Sequence, residues 1–249
     1  MISQLPLSLL LVGCPKATLT PTVEPTSPVS YARALDDAAY PLPSEVVDDL
    51  LTLTPDTDGV VFDDQGRVLV TTWSRSRYYD DKYVPGYRYS LYGETWFTAG
   101  TQVADACAGL TGDALALRVE QLLGLPPGGG RDVFVQVWID PAALKRPCAD
   151  PDVTARSCPI AAPLQAGDGD SVSWDCSDVT DHAQWLCNTW VNRYGASEEA
   201  MRFPWTALGY TYDWGNPDDP EGATEFVAPG GTEVTLSAII ENDDFCSGP

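Results

Sequence analysis

From residue 133 to 139 the chain reads Val-Phe-Val-Gln-Val-Trp-Ile, and no other stretch limits its fold as strongly. In an extended backbone, Val133, Val135, Val137 and Ile139 fall on one side and Phe134, Gln136 and Trp138 on the other. Apolar groups on both sides need cover on both sides, which predicts a central strand of a sheet. Further strands are expected at 67–73, entered through the turn Asp63-Asp64-Gln65-Gly66, and at 94–98. Residues 224–228 and 233–239, joined by Pro229-Gly230-Gly231, predict a hairpin.

The expected helices are short. Ser44 caps one whose Val46, Val47, Leu50 and Leu51 share a face and which Pro55 stops. Val103, Ala106, Cys107 and Leu110 recur at helical spacing. Asp113 caps a second helix that turns Leu115, Val119, Leu122 and Leu123 inward. Gly124 fits the left-handed position after it, and Pro126-Pro127 prevents continuation. Asp140-Pro141 opens a single turn at 142–145, and residues 148–190 read as loop-rich. With no long helix and no regular βαβ alternation, the expectation is one α+β domain with a mixed or antiparallel sheet, a few short helices and disulfide-bounded loops.

Ahead of this domain, Leu11-Val12-Gly13-Cys14 closes the apolar run 5–12 and resembles the lipobox of bacterial lipoproteins. The resemblance implies cleavage before Cys14 and lipidation of its thiol. It therefore implies an extracytoplasmic protein held in the cell envelope, in the outer membrane, by lipid. No Lys or Arg precedes Cys14, a departure from the usual positive start of a signal segment. Residues 15–30, PKATLTPTVEPTSPVS, hold four prolines and few large apolar groups. Such a segment favours extended polyproline II and reaches on the order of 50 Å at ~3.1 Å per residue. The expected division is a signal peptide at 1–13, a lipidated cysteine and tether at 14–30, and one domain at 31–249.

The chain has seven cysteines. With Cys14 assigned to lipid, Cys107, Cys148, Cys158, Cys176, Cys187 and Cys246 remain for three disulfides. Cys148 with Cys158 and Cys176 with Cys187 each bracket a short polar stretch, so short-range pairing is favoured, leaving Cys107 for Cys246. Structural zinc is the competing use, but CxxC spacing is absent and His182 is the one histidine.

The formal charge is −22, from 36 acidic and 14 basic residues. That balance repels nucleic acid and anionic lipid headgroups, and it argues for a solvated, salt-tolerant surface. The sequence contains no HExxH, Walker loop or GxGxxG. Any catalysis would fall to carboxylates, Arg and Tyr. Two clusters invite a site. Arg146, Asp150 and Asp152 lie in a Pro-rich loop after the central strand. Tyr210, Tyr212, Asp213, Trp214 and Asn216 set aromatic rings beside a carboxylate and an amide, which suits a sugar. The same oxygens suit calcium only weakly, since the EF-hand pattern is not met. No other metal or cofactor is expected.

LRVEQLLGLPP at 117–127, KRPCADPD at 145–152 and FPWTALGYTYDWGNP at 203–217 resemble an uncharacterised family of bacterial secreted proteins, which implies no activity. Residues 204–227 are also similar to secreted NAD glycohydrolase toxins. There an aromatic, Gly-containing loop leads to a strand bearing Gln or Glu, the position of Glu225, and an early arginine recognises pyrophosphate, for which Arg75 is the candidate. The toxins' Gly-rich phosphate loop is missing here. The favoured function is a binding or interaction module for glycans or envelope proteins. The alternatives are a carboxylate-dependent, glycosidase-like hydrolase, which needs two carboxyls about 5–9.5 Å apart, an NAD glycohydrolase or ADP-ribosyl-type enzyme, and a disulfide-stiffened structural protein.

Overall fold

In the computed structural model the chain is one α+β domain; the structure describes residues 28–161, 164–166, 172–174, 181–194 and 202–247. Leu11-Val12-Gly13-Cys14, the stretch that resembles a lipobox, lies outside these residues.

The first helix, α1 (Pro28–Ala38), begins inside the segment read as a tether. Proline at a helix start costs no hydrogen bond, so the Pro-rich composition does not forbid it. The segment after Ser44 is not a helix. Only Pro43–Glu45 makes a 3₁₀ turn, and Val46 is already extended. The backbone then bonds to a distant loop, Leu50 N–H to Arg156 O at 2.9 Å and Leu53 N–H to Val153 O at 3.0 Å. Those partners override the helical spacing of the apolar residues.

The sheet is built from β1 (Val68–Ser74), β2 (Arg88–Ser90), β3 (Thr95–Ala99), β4 (Val133–Ile139), β7 (Tyr210–Tyr212), β8 (Glu221–Ala228) and β9 (Glu233–Glu241). Its order is β2-β9-β4-β1-β3-β8-β7, with every pairing antiparallel. A separate pair, β5 (Leu164–Ala166) and β6 (Val172–Trp174), forms a small ribbon. As expected, β4 is interior, lying between β1 and β9. Entry to β1 is set by Asp63, whose Oδ1 accepts the backbone N–H of Gln65 and Arg67.

The expected hairpin at 224–239 does not form. β8 pairs with β3 and β7, and β9 pairs with β4 and β2. Ser90 faces Glu233 and Thr95 faces Ala228, equal steps along both chains, so one register continues across the corner. Pro229-Gly230-Gly231 is thus the bend of a long strand paired with an equally bent β2–β3.

One face of the sheet is apolar: Val68, Val70, Phe97, Val135, Val137, Ile139 and Phe226 form the main core. On the opposite face Trp73 and Phe134 stack at 5.8 Å and pack under α2 (Gln102–Cys107), α3 (Gly112–Leu122) and α5 (Asn242–Cys246). Thr111 rather than Asp113 is the N-cap of α3; Asp113 lies in its first turn. Gly124 has φ +62°, and a Cβ there would lie 3.0 Å from Pro204 O. Cys107–Cys246 ties α2 to α5, and Cys148–Cys158 closes a ten-residue separation. Cys187 is disulfide-bonded; its expected partner, Cys176, lies outside the described residues.

The longest described helix, α4 (Asp181–Tyr194), begins inside the stretch read as loop and runs past its end. Leu186 and Cys187 are buried on it, and Trp190 and Tyr194 follow Leu186 at four-residue steps. His182 therefore sits on a helix, with Nε2 2.7 Å from Cys148 O and its ring stacked on Trp185.

Candidate functional site

The register aligns Gln136, Thr71, Thr98 and Glu225 in one row across β4, β1, β3 and β8. This row crosses the face opposite the apolar core. Three polar residues of the row are buried: Thr71 at 8% exposure, Thr98 at 9% and Glu225 at 6%. Burying such a row is costly unless it serves neighbouring groups or a ligand. Here the helices cover the face only in part, leaving a cavity of about 300 Å³ above Thr71, Thr98 and Glu225. Small-molecule sites occupy roughly 300–1,000 Å³.

Aromatic residues form its walls. Trp205 meets Trp96 edge-on at 6.1 Å, and Trp73, Phe134 and Phe203 line other sides. Trp205 is fixed by the Tyr194 hydroxyl, which accepts its backbone N–H at 2.6 Å and donates to its carbonyl at 2.7 Å. At the rim, Glu94 accepts the indole N–H groups of Trp96 and Trp185 at 3.1 and 2.7 Å.

Two cations line the same space. The Arg193 guanidinium lies 5.4 Å from the Trp96 ring centre and 4.7 Å from that of Phe203. Arg131 lies 5.8 Å from the Trp73 ring centre, with Nη1 buried and unpartnered. Burial lowers the pKa of both guanidiniums. Glu225 Oε1 and Trp205 Nε1 are also buried without a hydrogen-bond partner. The indole N–H is near enough to favour the carboxylate but falls short of hydrogen-bond geometry. Burial pushes the Glu225 carboxyl up to about 8, against the opposing pull of Arg193, Trp205 and Arg146.

The structure brings Glu225 to this cavity but not Arg75. Arg75 donates to Gly129 O and to the Tyr78 hydroxyl, and it is not among the residues around the cavity. The segments at 146–152 and 210–216 do approach each other, but across a filled core in which Leu50, Cys148, Cys158, Leu208 and Tyr210 pack together. Arg146 is fully buried, and its Nη2 donates to the carbonyls of Leu51, Val153 and Ala155 at 2.9–3.1 Å. Asp150 Oδ1 accepts Asp152 N–H, and Asp152 Oδ1 accepts Thr154, so both carboxylates shape the turn.

The sugar site expected at 210–216 presents no stacking face. Trp214 is 2% exposed, donates Nε1 to the carbonyls of Glu120 and Leu125, and meets Tyr31 edge-on. Asp213 is buried in a bidentate pair with Arg118 at 2.7 and 2.9 Å. The hydroxyls of Tyr210 and Tyr212 donate to Glu45 O and Asp37 Oδ2. Asn216 is exposed in the following turn, its N–H bonded to Asp213 O. This aromatic density is used in packing α1 and α3 onto the sheet end.

Among the described residues, no group of three or more His, Cys, Asp or Glu side chains is placed to hold a metal ion. No described helix is long and apolar enough to cross a membrane. Sequence reasoning missed Arg131, Arg193, Trp96 and Trp205. The usable signal was a run of polar residues, Thr71, Thr98 and Glu225, within strands otherwise rich in large apolar groups. Comparison with protein-family models, curated proteins and solved structures finds no match.

Proposed function

We propose that this protein is an extracytoplasmic, lipid-anchored binding module that takes a small ring-shaped ligand of the cell envelope, such as a sugar derivative, into the tryptophan-walled cavity. The observation that carries the reading is the base of the cavity, where Glu225 Oε1 is buried with only the Trp205 indole N–H nearby and no well-formed hydrogen bond. Buried polar groups of that kind are stabilised when a ligand supplies the missing hydrogen bonds. The disulfides agree with an oxidising compartment. Likeness of Leu11-Val12-Gly13-Cys14 to a lipobox supplies the anchor, and the resemblance to uncharacterised secreted proteins points the same way.

A thermal-shift screen of envelope sugars and small metabolites on the mature protein is expected to find stabilising ligands. Thr71→Phe, which fills the floor of the cavity, is expected to remove their effect. Absence of any stabilising ligand, or shifts that Thr71→Phe leaves intact, would overturn the binding reading. The anchor is tested separately: Cys14→Ser should move the protein from the membrane fraction and leave an unprocessed precursor, and an unchanged distribution would remove the lipoprotein assignment.

One observation favours a second reading. Glu225 and Glu94 border the same cavity, the first held largely protonated at neutral pH by burial. Two carboxyls in unlike environments are the requirement for acid and base roles in a glycosidase-like hydrolase.

A further inference from the structure

Arg131 and Arg193 are unusual cations in a chain with 36 acidic residues. Both stack on aromatic rings, both border the cavity, and neither guanidinium makes a hydrogen bond or an ion pair among the described residues. The four ion pairs there involve Arg67, Lys82, Arg88 and Arg118 instead. A guanidinium carries five N–H donors in a planar fork suited to an oxyanion. Such ring contacts hold the guanidinium near the wall but satisfy none of its donors. Trp205 Nε1 and Glu225 Oε1 lie close to each other and offset one another, and the Glu94 carboxylate at the rim is already engaged by the Trp96 and Trp185 indoles, so the guanidiniums are the surplus donors. The cavity is therefore rich in donors and its walls are flat.

We infer that the ligand is a ring-bearing oxyanion, a carboxylate or phosphate ester on a flat body, whose anionic oxygens pair with the Arg193 fork while its ring lies against the tryptophan walls. The inference rests on the cavity being a binding site and specifies what enters it. Arg131, on the Trp73 side, adds a second positive charge to the same wall. Glu225 sets a limit on the ligand. When neutral it can donate a hydrogen bond to an anion, and when ionised it competes for Arg193. The charged groups nearest to Glu225 are Arg193 on α4 and Arg146 on the loop after β4.

Four probes of similar shape test this by quenching of tryptophan fluorescence: 2-naphthoate, 2-naphthyl phosphate, 2-naphthamide and 2-naphthol. The two anions are expected to bind about tenfold or more tightly than the two neutral compounds, because charge-assisted hydrogen bonds exceed neutral ones. Arg193→Gln should bring the anions down to the level of the neutral probes, with its Tm reported to show that the variant is folded. If it fails to fold, the comparison among the four probes on the unaltered protein still decides. Equal binding of all four would overturn the oxyanion assignment while leaving the binding function standing. So would anion binding that survives in folded Arg193→Gln. Binding by none of the four would also overturn the assignment, and the thermal-shift screen would then decide the binding function by itself.

Discussion

Arg146→Met is expected to destabilise the protein by about 3 kcal/mol or more, a fall in Tm of roughly 6–12 °C for a domain of this size. Arg146 is 0% exposed, and its guanidinium lies 5.1 Å from the Phe226 ring centre. It is held by carbonyls rather than by a carboxylate, with Nε reaching Asp152 O as Nη2 bridges Leu51, Val153 and Ala155. Two loops, at 51 and at 152–155, are thus pinned to the sheet by one side chain. Methionine keeps much of the aliphatic stem but offers no donor, leaving those acceptors short of partners. Burial draws the Arg146 pKa down to about 10, so the group stays charged at neutral pH. Arg146→Lys is expected to recover only part of the loss, since one ammonium cannot reproduce the planar fork. The neighbouring Gly209, at φ +89°, leaves room for this side chain; a Cβ there would lie 2.8 Å from Arg146 Cδ. Urea unfolding of the oxidised protein measures the effect, and a loss below about 1 kcal/mol would show that water replaces the guanidinium at little cost.

Glu225→Gln should have the opposite sign, and its size should depend on pH. The carboxyl has a pKa of about 8 in the folded chain against an ordinary 4.5. Between those values the folded state keeps a proton that the unfolded state has released. Stability from Glu225 is therefore complete below about pH 4.5 and is lost as pH rises through 8. Glutamine keeps the shape and never ionises, so it escapes that loss. The variant should match the parent protein near pH 4.5 and exceed it by roughly 3–5 kcal/mol above pH 8. Unfolding midpoints from pH 4.5 to 9 provide the test, and parallel profiles for the two proteins would refute burial as the cause. The same variant bears on catalysis, because a hydrolase that uses Glu225 as its acid would lose turnover while gaining stability in alkali.

Local signals in the sequence were reliable where the neighbours agreed with them. The alternation at Val133–Ile139 became an interior strand, the Asp63 turn fed β1, and short cysteine spacing pointed to Cys148–Cys158, with Cys107 left for Cys246. Misreadings arose where distant partners decided the outcome. Pro229-Gly230-Gly231 carries every mark of a hairpin turn, yet β3 and β4 offer β8 and β9 better-matched partners on either side of the bend. Val46, Val47, Leu50 and Leu51 have helical spacing, but their segment serves as a backbone partner for the 153–156 loop. Trp214 looked like a ligand platform because ring and carboxylate were adjacent, whereas Arg118, 95 residues from Asp213, already completes that carboxylate. The cavity was the least legible feature. Glu225 could be singled out, but the arginines and tryptophans around it come from five separate segments.

The bent pairing of β2–β3 with β8–β9 also governs how the chain reaches its native state. Within the seven-stranded sheet only β7 and β8 are both consecutive and paired; every other ladder joins strands with at least one further strand between them in the chain. Loop closure must precede almost every pairing, which places folding in the slow, millisecond-to-second class. β9 is needed to cover β4, so the edge of β4 stays open until β9 has been synthesised. The Cys107–Cys246 bridge spans 139 residues and falls under the same constraint, whereas Cys148 and Cys158 can meet as soon as their loop exists. Oxidation of the short loop is thus expected to come first, with the long bridge sealing a sheet that has already closed.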